Sequence, residues 1–124
     1  MAETTDDLLN LHCVEYPKGT APLGEAEVQL LLPLVPGWRL EDGVMRRGLL
    51  FPDFRQTIAF VDLLADLAEE EQHHPDFLVY GYRRMRLDFA THSIGGLSLN
   101  EFIMGAKVNR LLESFDWKVA DREP

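Results

Sequence analysis

With 124 residues, 46% of them hydrophobic and 27% charged, the chain has the length and composition of one compact globular domain. Its 21 acidic and 12 basic side chains give a formal charge of −9. That is the wrong sign for a partner made of nucleic acid or for an anionic membrane, both of which require a basic patch. The densest basic run is only Arg83, Arg84 and Arg86, with Arg46-Arg47 as a smaller pair.

A single cysteine, Cys13, excludes an intrachain disulfide and suits a thiol-reducing compartment. The first ten residues, Met1 to Asn10, have neither the positive nor the apolar region of a signal peptide. No apolar run approaches the roughly 18 residues that span a bilayer. The expected location is the cytoplasm, with no membrane or nucleic-acid partner. A domain this small also gains from burying surface in an oligomer.

Residues 1–21 lack periodicity and are punctuated by Pro17 and Gly19. They are expected to form an extended or loosely attached N-terminal arm before a domain over residues 22–118, with 119–124 as a tail. From Gly24 to Leu32, Val28, Leu31 and Leu32 recur at helical spacing, and Pro33 stops a short helix. Trp38–Glu41 and Val44–Phe51 read as strands, and Asp42-Gly43 between them favours the positive φ angles of a tight hairpin. Asp53, with Gln56 three positions on, caps a long helix that runs to about Glu71. Its expected apolar stripe is Phe54, Ile58, Val61, Ala65 and Ala68, continued by Leu64 and Leu67.

His73-His74-Pro75 breaks that helix. Phe77–Tyr80 is a short strand, and Gly81 is a turn. Met85, Leu87, Phe89 and Thr91 then alternate with Arg84, Arg86 and Asp88, the period of a half-buried strand. Strand Arg83–Thr91 is the candidate for a free sheet edge. Gly95-Gly96 makes a loop, and Ser98 with Glu101 forms a capping box that opens the last helix. The fold class is therefore α+β: two layers, with a four-stranded antiparallel sheet and helices on one face, in the order α-β-β-α-β-β-α.

Three histidines, His73, His74 and His92, fall at element ends, where imidazoles that titrate near neutrality can exchange protons. The plainer alternative is a solvated helix C-cap for His73-His74. A histidine metal site is a third possibility, although no HxH or HExxH pattern occurs. Nucleotide-binding glycine motifs and a nucleophile elbow are absent from the sequence. Cys13 has no basic cluster beside it to activate the thiol. Glu69, Glu70 and Glu71 read as a solvated helix face.

These residues together resemble a family. The stretch Glu69-Glu70-Glu71-Gln72-His73-His74-Pro75, followed by Tyr82 and Thr91-His92, is similar to the signature of the pterin-4a-carbinolamine dehydratases. Glu69 stands four positions before His-His-Pro, Tyr82 supplies the following aromatic residue, and His92 lies ten residues beyond it. Gly96-Leu97-Ser98 matches the loop that enters the last helix, Pro36-Gly37-Trp38 the entry to the first strand, and Phe54 a residue after the second. The likeness covers about Leu23 to Leu112, and the arm with Cys13 resembles the start of bacterial members. Two positions depart: Phe77 stands where the family commonly has tryptophan, and Glu101 where it has aspartate.

The resemblance implies loss of water from a 4a-hydroxytetrahydropterin, with His73 and His92 as the acid/base pair and His74 orienting the ring. Glu69, Pro75, Phe77 and Glu101 would support them, Phe77 as an apolar wall. Glu101 keeps two roles open, the helix cap alone or the cap plus orientation of an imidazole. The family implies no cofactor and no metal. It also implies a homodimer or homotetramer and a metabolic link to an aromatic amino acid hydroxylase. The competing expectation is a non-catalytic binding or assembly protein on the same fold.

Overall fold

The computed structural model describes residues 2–124. In chain order the elements are α1 (Thr5–Leu9), α2 (Glu25–Leu31), β1 (Arg39–Glu41), β2 (Val44–Leu50), α3 (Phe54–Glu71), β3 (Asp76–Tyr80), β4 (Arg84–Phe89), α4 (Leu99–Leu112) and β5 (Lys118–Val119). The strands form one antiparallel sheet in the order β1-β2-β4-β3. This is the expected α+β architecture with one addition. Residues after Trp117 are not a free tail, because β5 pairs with Leu49 and Leu50 of β2, beyond the reach of the short β1.

Local chemistry sets the turns. Asp42 and Gly43 have φ of 52° and 77°, so the hairpin expected from the dipeptide is present. Asp53 accepts the amide of Gln56 at 2.8 Å and opens α3. In β4, Met85, Leu87 and Phe89 are buried while Arg84, Arg86 and Asp88 between them are not, which is the expected alternation.

The edge expectation is corrected. β4 lies between β2 and β3, so the outer strands are β3 on one side and β1 with β5 on the other. Two hairpins joined by a long helical connection can nest either way, and strand sequence alone does not say which member is central.

The phase of α3 is also corrected. The face turned to the core carries Thr57, Phe60, Leu64, Ala68 and Glu71, while Phe54, Ile58 and Ala65 stay exposed. The helix is apolar around more than half its circumference, so periodicity alone does not choose the inward side. Phe60 and Leu64 pack with Phe102 and Ile103 of α4 against Met45, Leu49, Met85 and Leu87. Each such side chain contributes about 1.5–3 kcal/mol on burial.

The N-terminal residues are not loosely attached. α1 lies against α4 and its Leu8 is fully buried. Thr5 Oγ1 donates to Leu34 O at 2.8 Å. A five-residue helix is too short for its periodicity to be visible in sequence, but its single core leucine docks it.

Candidate active site

The histidines collect at one end of the sheet. Antiparallel pairing of β3 with β4 sets the start of β3 beside the end of β4, so residues just before the one and just after the other are neighbours. α3 is capped by Gln72, which takes the left-handed conformation (φ 51°) while the amides of Gln72 and His73 both turn back to Ala68 O. That turn, with Pro75 behind it, aims His73 and His74 off the helix. On the other side Thr91 bridges to Gly96, and a 3-10 turn over His92–Ile94 carries His92. Gly95 closes that turn with φ of 64°.

His73, His74 and His92 line one open hollow of about 590 Å³, together with Ala90, Thr91, Ser93 and Asn100. The N-terminal segment Cys13, Val14, Glu15 and Tyr16 also lines it. His73 is the most enclosed of the three and stacks on Phe89 with ring centroids 6.0 Å apart and planes 12° from parallel.

Beneath it lies Glu101, fully buried. One of its carboxylate oxygens accepts the Ser98 amide at 2.8 Å, completing the capping box. The other meets His73 Nε2 at 2.7 Å. Thr91 Oγ1 lies 2.8 and 2.9 Å from the two oxygens and 2.8 Å from Ser98 Oγ. Glu101 is thus both the helix cap and the partner of His73. An ionised carboxylate can only accept, so Nε2 carries the hydrogen in that contact. Nδ1 is left as the nitrogen that can exchange a proton with a ligand. The imidazole is fixed in tautomer and orientation by a group that never reaches solvent.

His74 is different. It is exposed, and its Nε2 meets Glu69, also exposed, at 2.6 Å. Pro75, Phe77 and Glu69 line a separate apolar groove with Val61 and Ala68, and His74 borders both spaces. Phe77 therefore sits outside the hollow that holds His73 and His92. Tyr82 is farther still, in the turn between β3 and β4 at the opposite end of those strands.

Several residues of the site gave no local signal. Glu71 is buried, not part of a solvated face. Its oxygens meet Lys107 Nζ at 2.9 Å, the Cys13 amide at 2.8 Å and His12 Nδ1 at 2.8 Å. Burial alone would raise its pKa, yet these donors, Lys107 foremost, hold it down at about 2. The phase of α3 is the one clue, since Glu71 continues the Leu64–Ala68 row. Cys13 also lines the hollow, and burial followed by the nearby Glu71 charge pushes its thiol up to about 12, which makes it unreactive. Among the described residues no three His, Cys, Asp or Glu side chains are grouped to hold a metal ion. None of the described helices is long and apolar enough to cross a membrane.

An α+β domain that holds a buried carboxylate against one of three imidazoles in an open hollow defines a class of small proteins with groups able to exchange protons with a bound ligand. Comparison narrows this class. The sequence profile described as Pterin 4 alpha carbinolamine dehydratase matches residues 21–111. A Xanthomonas oryzae protein provisionally named a pterin-4-alpha-carbinolamine dehydratase is 45% identical over 104 residues, covering 82% of this chain and 87% of its own. A Nitrosomonas eutropha protein with the same provisional name is 43% identical over 109 residues, covering 87% and 96%. The chain belongs to the pterin-4-alpha-carbinolamine dehydratase family.

Among solved structures, a Brucella melitensis protein described as a transcriptional coactivator/pterin dehydratase matches at a TM-score of 0.68 and 30% identity. The match covers 73% of this chain and 97% of that one. A pterin dehydratase-like protein described as a RuBisCO assembly factor of the α-carboxysome matches at a TM-score of 0.50 and 26% identity, over 60% of this chain and 84% of that one.

Proposed function

We propose that this protein is a hydro-lyase that converts a 4a-hydroxytetrahydropterin to the quinonoid dihydropterin and water. The observation that carries this reading is the fully buried Glu101 at 2.7 Å from His73, with His92 and His74 in the same hollow. In the reaction the C4a–O bond breaks, and the departing hydroxyl takes a proton from a general acid and leaves as water. The proton on N5 goes to a base as the C4a=N5 double bond forms. Hydroxide is a poor leaving group, so each positioned proton transfer is worth about 10² to 10⁴ in rate.

His73 and His92 serve as the acid/base pair. Glu101 stabilises the imidazolium that forms when His73 holds the extra proton, and His74, steadied by Glu69, orients the ring. This chemistry calls for no metal and no redox cofactor. The substrate is the product of a pterin-dependent hydroxylation, so an aromatic amino acid hydroxylase is the reaction partner proposed, in the cytoplasm. With enzymatically generated carbinolamine, purified protein is expected to accelerate dehydration well above the spontaneous rate, equally with and without a chelator. Loss of activity on chelation would move the reading to a metal site.

The second reading is an assembly or scaffold role, motivated by the described function of the RuBisCO assembly factor that shares the fold. A purely structural descendant has no need of a carboxylate buried against an imidazole, and this weighs for the enzyme.

We also propose a homodimer or homotetramer. The outer edge of β3 leaves a row of backbone groups unpaired within the sheet, and its Phe77 and Leu78 are 46% and 43% exposed. A sedimentation experiment that finds only monomer at micromolar concentration would remove this proposal.

A further inference from the structure

The hollow has two walls of different origin. One is the histidine wall, built on the sheet end and α4. The other is the N-terminal segment 13–16, which lines the hollow and is fastened there by groups with no part in the proposed proton transfers.

Each fastening is specific. Glu71 accepts the Cys13 amide at 2.8 Å. Asn100, buried in the first turn of α4, makes a reciprocal pair with the next residue: Val14 N donates to Oδ1 at 3.0 Å and Nδ2 donates to Val14 O at 2.7 Å. Ser93 Oγ donates to Tyr16 O at 3.1 Å. Two buried polar side chains and a hydroxyl are thus spent on the backbone of an otherwise irregular segment.

Burying the Glu71–Lys107 pair carries a desolvation cost that hydrophobic residues of the same size would avoid. What the pair supplies is register. A carboxylate that accepts both from Lys107 and from the Cys13 amide fixes the segment to within a hydrogen-bond length. The aromatic residue that this register brings to the lining of the hollow is Tyr16, half-buried. Its phenol is shifted upward first by burial and then by the charge of Glu101, so it lies within electrostatic reach of the carboxylate that holds His73.

We infer that residues 13–16 are a substrate-binding wall of the hollow. Tyr16 is the side chain laid against the flat ring of the ligand, and Glu71 and Asn100 are the positioning residues that hold it there. The inference rests on the pterin reading of the site and adds to it a contact from outside the three-histidine set. Stacking of a flat heterocycle on an aromatic side chain is the interaction Tyr16 offers. Its loss is expected to weaken binding by about tenfold or more, as for bases stacked on aromatic residues.

The test measures binding and turnover separately. Binding of 7,8-dihydrobiopterin is titrated by fluorescence, and dehydration kinetics are measured on the same preparations, for wild type, Tyr16→Ala, Tyr16→Phe and Glu71→Gln. Tyr16→Ala is expected to raise both Kd and KM about tenfold while kcat falls by much less. Tyr16→Phe keeps the ring and should recover most of the affinity. Glu71→Gln, folded as judged by circular dichroism, should raise KM in the same direction, by less than Tyr16→Ala. If wild type binds and dehydrates while Tyr16→Ala matches it in Kd and KM, the wall is overturned and the pterin reading stands. If wild type neither binds the pterin nor dehydrates the carbinolamine, both fall together.

Discussion

Two buried glutamates can be set side by side. Glu71 ends α3 and Glu101 begins α4; each accepts one backbone amide and each meets one imidazole, His12 and His73 respectively. They differ in their counter-ion. Glu71 is held by Lys107, whereas among the described residues no lysine or arginine is paired with Glu101. Around Glu101 the donors are hydroxyls, an amide and the ring of His73.

A carboxylate matched to a permanent cation keeps its counter-charge whether or not its histidine is protonated. One matched only to neutral donors and a titratable ring has its charge available to that ring. On the proposed reading, the same residue type serves as a fastening in one place and as a proton-transfer partner in the other.

Removing the cation should separate the two most sharply. Lys107→Met leaves Glu71 buried without its counter-charge and is expected to cost about 3–5 kcal/mol of stability, measured by urea denaturation. A cost below about 1 kcal/mol would mean that the pair is not the anchor described.

Next in size is Glu101→Gln. Glutamine can keep the cap, so stability should change by less than about 1 kcal/mol. The charge facing His73 is lost, and turnover is expected to fall by about tenfold to a hundredfold, within the usual worth of one positioned acid/base group. Near-normal turnover would reduce Glu101 to a cap.

The third comparison is with pH. The carboxyl of Glu71 is held at about 2 in the folded protein, below its ordinary value of 4.5. Its depressed pKa contributes stability that is complete above about pH 4.5 and disappears as pH falls toward 2. Acid unfolding of wild type and Glu71→Gln should therefore show a stability gap that is constant above pH 4.5 and narrows below it. A gap that widens on acidification would contradict the assignment.

A last prediction, outside both turnover and stability, concerns Cys13. With its thiol pushed from 9.0 to about 12, the thiolate fraction at pH 8 is lowered about a thousandfold. A disulfide reagent should modify the native protein far more slowly than the unfolded one.

How much of this was legible in the sequence depends on the range of the interaction. The Asp42-Gly43 turn, the Asp53 and Ser98 caps and the β4 alternation are local, each written within a few residues, and the structure has all of them. The histidines and Glu101 were visible as candidates, partly through spacing and partly through family likeness, and the structure brings His73 and Glu101 together.

What was hidden involves partners far apart in the chain. Glu71 and Lys107 are 36 positions apart, and Val14 and Asn100 are 86 apart. No periodicity links such pairs. α3 could be read in the wrong phase because Phe54 and Ile58 are as apolar as Phe60 and Leu64, and only the rest of the fold decides which pair turns inward. Gln72 gave no sign that it would take the left-handed turn usually made by glycine or asparagine.

The proposed chemistry turns above all on His73 as a proton-transfer group held by Glu101. The direct measurement is the rate of carbinolamine dehydration by wild type, His73→Ala and His92→Ala, each shown to be folded by circular dichroism. Each alanine variant is expected to lose at least about tenfold in turnover relative to wild type. Wild-type turnover in both variants would contradict the account.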